Sequence, residues 1–226
     1  MAVKLGIRNP CVPALSLVPN RRESTSGPSC FGGNTMKSVT LIGDCIRRDY
    51  QPTVQDELAD LAEVWGPKET IKTTRDVLQH LDEWVSTGKP DLFHFNCGLH
   101  EIRRFSPDAS QTVPLPEFKE NLREIFRRIK VETNTLATWA HTTPIFHERR
   151  DKLNTFGRKE IDVIAYNAAA AEIASEFDVP VIDLHRVTVE NGVERYMARN
   201  GLHFTPEGYV LLGRAVSHVI RASLKL

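Results

Sequence analysis

The chain has 226 residues, of which 29 are Lys or Arg and 29 are Asp or Glu, so its formal net charge is zero. That length suits one domain with a sizeable core, and the balanced charge gives no electrostatic footing for nucleic acid or an anionic membrane. Four cysteines, Cys11, Cys30, Cys45 and Cys97, form neither a disulfide framework nor a CxxC zinc pattern. No apolar run approaches the roughly 18 residues that span a bilayer, so a soluble, cytoplasmic protein is expected.

Residues 1–35 are rich in Pro, Ser, Gly and Asn, contain Glu23 as their only acid and show no hydrophobic period. A disordered N-terminal extension is predicted there, with one domain over 36–226. Pro13 and Ser16 interrupt the apolar stretch 11–18, which argues against a secretory signal. The basic, acid-poor character leaves an organelle transit peptide open. The preferred reading is that the functional chain starts at Met36-Lys37, immediately before the first strand, and that the upstream residues are a tail or a misassigned start.

The run Val39-Thr40-Leu41-Ile42-Gly43-Asp44-Cys45 reads as a buried strand entering a sharp turn and then a helix, with Cys45 held at the strand's carboxyl end. Val54, Leu58 and Leu61 give a helical stripe over 53–61, and a second strand is expected at 62–65, closed by Gly66-Pro67. An amphipathic helix follows at 74–85 and a third strand at 91–96. Pro114 and Pro116 precede a helix at 117–131, and 135–140 is a fourth strand. A helix at 161–177 is predicted to carry Ile161, Ile164, Ala165, Ala168, Ala169, Glu172 and Ile173 on one face. The fifth strand lies within 178–184, and Pro206 starts the last helix. Strands alternating with helices imply an α/β domain with a parallel sheet and helices on both faces.

In such a sheet, reactive groups belong at the carboxyl ends of the strands. Three loops qualify, at 43–47, 97–101 and 200–203. Gly43-Asp44-Cys45, Gly98-Leu99-His100-Glu101 and Asn200-x-x-His203, followed by Phe204-Thr205-Pro206-Glu207-Gly208, together resemble the SGNH (GDSL-like) hydrolases. Trp139-Ala-His-Thr-Thr-Pro144 and Tyr166-Asn167 add to the resemblance, which covers about residues 38–222. It implies a flavodoxin-like three-layer sandwich with a five-stranded parallel sheet of order 2-1-3-4-5. It also implies hydrolysis of acyl or acetyl esters, including acetylated carbohydrates, without metal or other cofactor.

Carried over by position, His203 is the base, Cys45 stands where the family has its serine nucleophile, and Asn200 stands where it has the orienting aspartate. The oxyanion hole would be formed by the Cys45 N–H, the backbone at Lys72 in place of a glycine, and His100 in place of an asparagine. With a serine nucleophile the Asp-to-Asn change costs about 10⁴ in turnover through the wrong histidine tautomer. A cysteine alters that expectation, because a thiol near a helix N-terminus and a histidine can ionise in advance. Asn200 would then accept from the ring N–H of His203.

Other uses of these residues stay open. The crevice could bind a ligand without turning it over. Cys45, Cys97, His100 and His203 could form a zinc set, or Cys45 and Cys97 a disulfide. Glu101 is read as a brace of its loop and Asp44 as a fixer of the turn. Arg47 and Arg48 are expected to be solvated, His94, His141, His147, His185 and His218 to be core or solvated residues, and Trp65, Trp84 and Trp139 to serve packing.

Overall fold

The computed structural model describes residues 36–106, 108–146 and 157–226; the predicted extension over 1–35 and His147 lie outside the described residues. Five parallel strands form one sheet in the order β2-β1-β3-β4-β5. They are β1 (Lys37–Gly43), β2 (Ala62–Trp65), β3 (Leu92–Asn96), β4 (Leu136–Ala140) and β5 (Val181–Ile182). The helices are α1 (Cys45–Leu58), α2 (Thr74–Gly88), α3 (Leu115–Phe126), α4 (Glu160–Glu176), α5 (Leu184–Asn191), α6 (Val193–Tyr196) and α7 (Pro206–Leu224). A π-helical turn, Arg127–Glu132, continues α3.

This is the predicted order, and its physical origin is the two-sided burial of β1 and β3, whose apolar runs feed separate cores. On one face Ile42, Phe93 and Phe95 pack with side chains of α2, α3 and α4. On the other Val39, Leu41 and Leu92 pack with Ile46, Tyr50, Val54 and Leu58 of α1 and with Leu212, Val216 and Ile220 of α7. Gly213 lets α7 approach α1, because a Cβ there would collide with Thr53.

Three expectations need correction. One helix, starting at Cys45 and ending at Leu58, replaces the stripe read over 53–61, so Leu61 is already in the turn to β2. In α4 the buried face carries Val163, Tyr166, Asn167, Ala170, Ile173 and Ala174, whereas Ile161 and Ile164 are 72% and 55% exposed. The alanines on both sides left the stripe ambiguous, and the larger Tyr166 decides it by burying its ring and donating its hydroxyl to Val113 O at 2.6 Å. The short helices α5 and α6 were not predicted; Asp183 starts α5 by accepting from Arg186 N at 2.9 Å.

His94 is a core residue as expected, fully buried in a chain that runs Tyr50 Oη to Nε2 at 2.8 Å and Nδ1 to Thr138 Oγ1 at 2.9 Å. Burial pushes its pKa down to about 3, so the ring is neutral. Among the described residues no helix is long and apolar enough to cross a membrane.

Candidate active site

The first loop is shaped by crowding at the end of β1. A Cβ on Gly43 would strike Asn96 O and the Arg47 side chain, so the chain can turn there only as glycine. Asp44 then caps α1, its Oδ1 accepting from Ile46 N at 2.9 Å. Its carboxyl is buried, which lifts its pKa to about 6. Cys45 is thereby fixed as the first residue of α1, where backbone N–H groups have no acceptor within the helix.

Between α6 and α7 the chain makes a second tight loop. Gly201 has φ 63°, and Asn200 Oδ1 accepts from both Leu202 N at 3.0 Å and His203 N at 2.9 Å. Thr205 and Pro206 open α7 just beyond, with Thr205 Oγ1 accepting from Gly208 N. The result is that Cys45 Sγ and His203 Nε2, 158 positions apart in sequence, stand 3.4 Å from each other. On the far side of the ring Asn200 Nδ2 is 2.8 Å from His203 Nδ1. The three residues predicted to act together do meet.

Their hydrogen bonding differs from the expectation in one respect. Backbone N–H groups only donate, so the Asn200 oxygen must face them and the amide nitrogen must face the ring. That nitrogen is a donor. His203 Nδ1 therefore accepts, and the ring proton sits on Nε2, pointing at sulfur. Asn200 does not accept from the ring N–H, because its acceptor is already engaged by two backbone groups. Nor is a resting thiolate favoured: burial, followed by the Asp44 and Asp49 charges, pushes the Cys45 thiol up to about 12.

The remaining predicted positions lie in the loops that follow β2 and β3. Ile71 N donates to Gly43 O at 2.9 Å, which brings the segment carrying exposed Lys72 against the end of β1. His100 is half-buried in the loop after β3, with its pKa pushed down to about 4 by burial and by the charges of Arg158, Arg103 and Lys72. It is a neutral ring with one N–H to donate. Glu101 braces the same loop, as expected: Oε1 accepts from Thr74 N at 2.7 Å and Oε2 from Gly98 N at 2.9 Å. Full burial lifts its pKa to about 8.

Cys45 and Cys97 are both free thiols, and Cys97 is buried in the core on the α2 and α3 side of the sheet, so the disulfide does not form. Among the described residues no group of three or more His, Cys, Asp or Glu is arranged to hold a metal ion.

Arg47 overturns its solvated reading. It is fully buried. Its Nη2 donates to Pro67 O at 3.0 Å, Gly43 O at 3.4 Å and Glu69 O at 3.5 Å, and Nη1 donates to Gln51 Oε1 at 2.6 Å. The guanidinium thus ties the loop leading to Lys72 onto the strand end that precedes Cys45. Its helical spacing to Gly43 and Gln51 was the available signal, but nothing local revealed that the loop at 66–69 would fold over it.

A family model described as GDSL-like lipase/acylhydrolase matches residues 46–211, starting one residue after Cys45 and including Asn200 and His203. Among solved structures, a lipase/acylhydrolase from Enterococcus faecalis superposes with a TM-score of 0.68 at 25% identity, covering 83% of this chain and 96% of that one. The acetyl xylan esterase AlAXEase gives 0.67 at 15% identity, with 81% and 99% covered. Acetylxylan esterase Axe2 from Geobacillus stearothermophilus gives 0.64 at 19%, with 81% and 94% covered. No curated protein sequence matches.

Proposed function

The chain belongs to the GDSL-like lipase/acylhydrolase family, and on that premise we propose that it hydrolyses carboxylic esters of small acylated or acetylated compounds, with Cys45 as nucleophile and His203 as its proton acceptor. The observation that carries this reading is the 3.4 Å approach of Sγ to Nε2 at the carboxyl end of β1. Sulfur attacks the acyl carbon, its proton passes to His203 Nε2, and the imidazolium returns a proton to the departing alkoxide. Water then hydrolyses the acyl-thioester with His203 acting again as base. The Cys45 N–H, the backbone N–H at Lys72 and the neutral ring of His100 are the donors assigned to the oxyanion.

Asn200 holds this chemistry back. While its amide nitrogen faces Nδ1, the proton occupies the ring nitrogen that must receive the thiol's proton, so turnover is slow in the resting arrangement. Both free thiols are consistent with a reducing compartment, and a cytoplasmic location belongs to the same reading.

Hydrolysis of 4-nitrophenyl acetate and of a matching thioester by the wild type, Cys45→Ala and Cys45→Ser tests it. Slow wild-type turnover lost in Cys45→Ala is the expected result; activity unchanged in Cys45→Ala eliminates the thiol mechanism. A second reading, a crevice that binds esters without cleaving them, is favoured by the same amide orientation. No wild-type turnover, with activity appearing in the Cys45→Ser plus Asn200→Asp double variant, would establish it instead.

A further inference from the structure

Arg47 follows the proposed nucleophile by two positions and is fully buried, yet every acceptor its guanidinium meets is neutral. These are Gln51 Oε1 at 2.6 Å from Nη1, and Pro67 O, Gly43 O and Glu69 O at 3.0, 3.4 and 3.5 Å from Nη2. Its Nε is buried without a partner among the described residues. A desolvated charge with neutral partners and one unspent donor is a poor way to stabilise a fold, since an apolar side chain of similar volume would avoid the cost. What an apolar residue cannot do is gather carbonyls from two segments onto one planar fork.

Those two segments carry the backbone donors assigned to the oxyanion. Gly43 ends β1, two residues before Cys45. Pro67 and Glu69 belong to the stretch 66–73, which has no helix or strand of its own. The same stretch closes onto the same carbonyl, because Ile71 N donates to Gly43 O at 2.9 Å. The next N–H, that of Lys72, donates to no protein group among the described residues. Gly66 lets the stretch pass over the fork: a Cβ there would lie 2.5 Å from Gln51 Oε1 and 2.9 Å from Arg47 Nη1. Oxyanion donors act only within about 2.7–3.1 Å of the developing charge, so whatever fixes this loop against β1 fixes the hole.

We infer that Arg47 is a positioning residue for the oxyanion hole, which holds 67–69 against the end of β1 and so sets where the Lys72 N–H stands relative to Cys45. The inference rests on the esterase reading for its catalytic consequence. Two variants test it: Arg47→Met keeps the apolar stem without the fork, and the milder Gln51→Ala removes the acceptor of Nη1. Hydrogen exchange of the peptide over 66–73, followed by mass spectrometry, should quicken about tenfold in Arg47→Met and less in Gln51→Ala. With 4-nitrophenyl acetate, kcat should fall about 100-fold in Arg47→Met and about fivefold in Gln51→Ala, with KM within about twofold of the wild type. A folded Arg47→Met protein with wild-type exchange over 66–73, or with kcat unchanged, overturns the positioning role. Should Arg47→Met not fold, Gln51→Ala is judged by the same two criteria. A wild type without turnover defeats the esterase reading instead, and the exchange comparison still decides whether Arg47 sets the loop.

Discussion

Replacing Asn200 with Asp should accelerate this enzyme. The amide is pinned: turning it over would set its NH2 against the N–H groups of Leu202 and His203, which now lie 3.0 and 2.9 Å from Oδ1. For His203 to receive a proton on Nε2, its own proton must first move to Nδ1, where it meets Asn200 Nδ2 at 2.8 Å. That move removes one hydrogen bond, worth about 1 kcal/mol, and opposes two part-buried donors at about 1–3 kcal/mol more. The sum of about 2–4 kcal/mol corresponds to a base-competent population reduced about 30- to 1,000-fold. In Asn200→Asp one carboxylate oxygen keeps both backbone bonds and the other accepts from Nδ1–H, so the working tautomer becomes the resting one. Time courses of 4-nitrophenyl acetate hydrolysis should then show kcat/KM rising by that factor, with a thermal midpoint close to the wild type. A folded Asn200→Asp protein whose kcat/KM is unchanged or lower would refute the tautomer argument.

The thiol held at about 12 sets a pH profile: the thiolate fraction grows tenfold per unit below that value, so kcat/KM should climb between about pH 7 and 10 without a plateau near neutrality. A plateau centred near pH 7 would mean an ionised resting pair. Tyr50→Phe should cost about 1–3 kcal/mol in urea unfolding, because His94 Nε2 loses its partner inside the core; an unchanged midpoint and slope would show that the chain of polar groups contributes nothing. Glu101 has a folded pKa of about 8 against 4.5 when unfolded. Its stabilising contribution is therefore complete below about pH 4.5 and is lost as pH rises through 8, at up to about 1.4 kcal/mol per unit. The difference in unfolding free energy between wild type and Glu101→Gln should fall across that window; a flat difference would show the carboxylate ionised throughout.

The sheet was readable because each strand is a short apolar run bounded by a turn residue, and β1 and β3, buried on both faces, carry the longest of them. The pairing of Cys45 with His203 was readable only through the family resemblance, since no local pattern links positions 158 apart. What escaped was whatever the second neighbour decides. Arg47 looks like any charged residue at a helix start until the loop at 66–69 places two carbonyls, Pro67 O and Glu69 O, on it. Trp65 looks like strand packing, yet it stands on the edge strand β2 and is half exposed. The direction of the Asn200 amide depends on where two backbone N–H groups end up, which its residue type does not encode.

The cysteine and the asparagine are best understood together. A serine hydroxyl is far too weak an acid to ionise unaided, so it needs the base at its full strength and loses most when the tautomer is wrong. A thiol is several units more acidic even when burial and two nearby carboxylates push it up, and it attacks well once ionised. Sulfur therefore tolerates a histidine that presents N–H toward it: the thiol can lose its proton to solvent base, and the neutral ring then donates from Nε2 to the thiolate, a slow route that runs beside proton transfer to the rarer tautomer of His203. On that account Cys45→Ser made in the presence of Asn200 should lose more activity than the same change made in Asn200→Asp, because only the carboxylate restores the base that oxygen requires. Equal losses in the two backgrounds would mean that the two positions act independently, and that the departure at one does not compensate for the departure at the other.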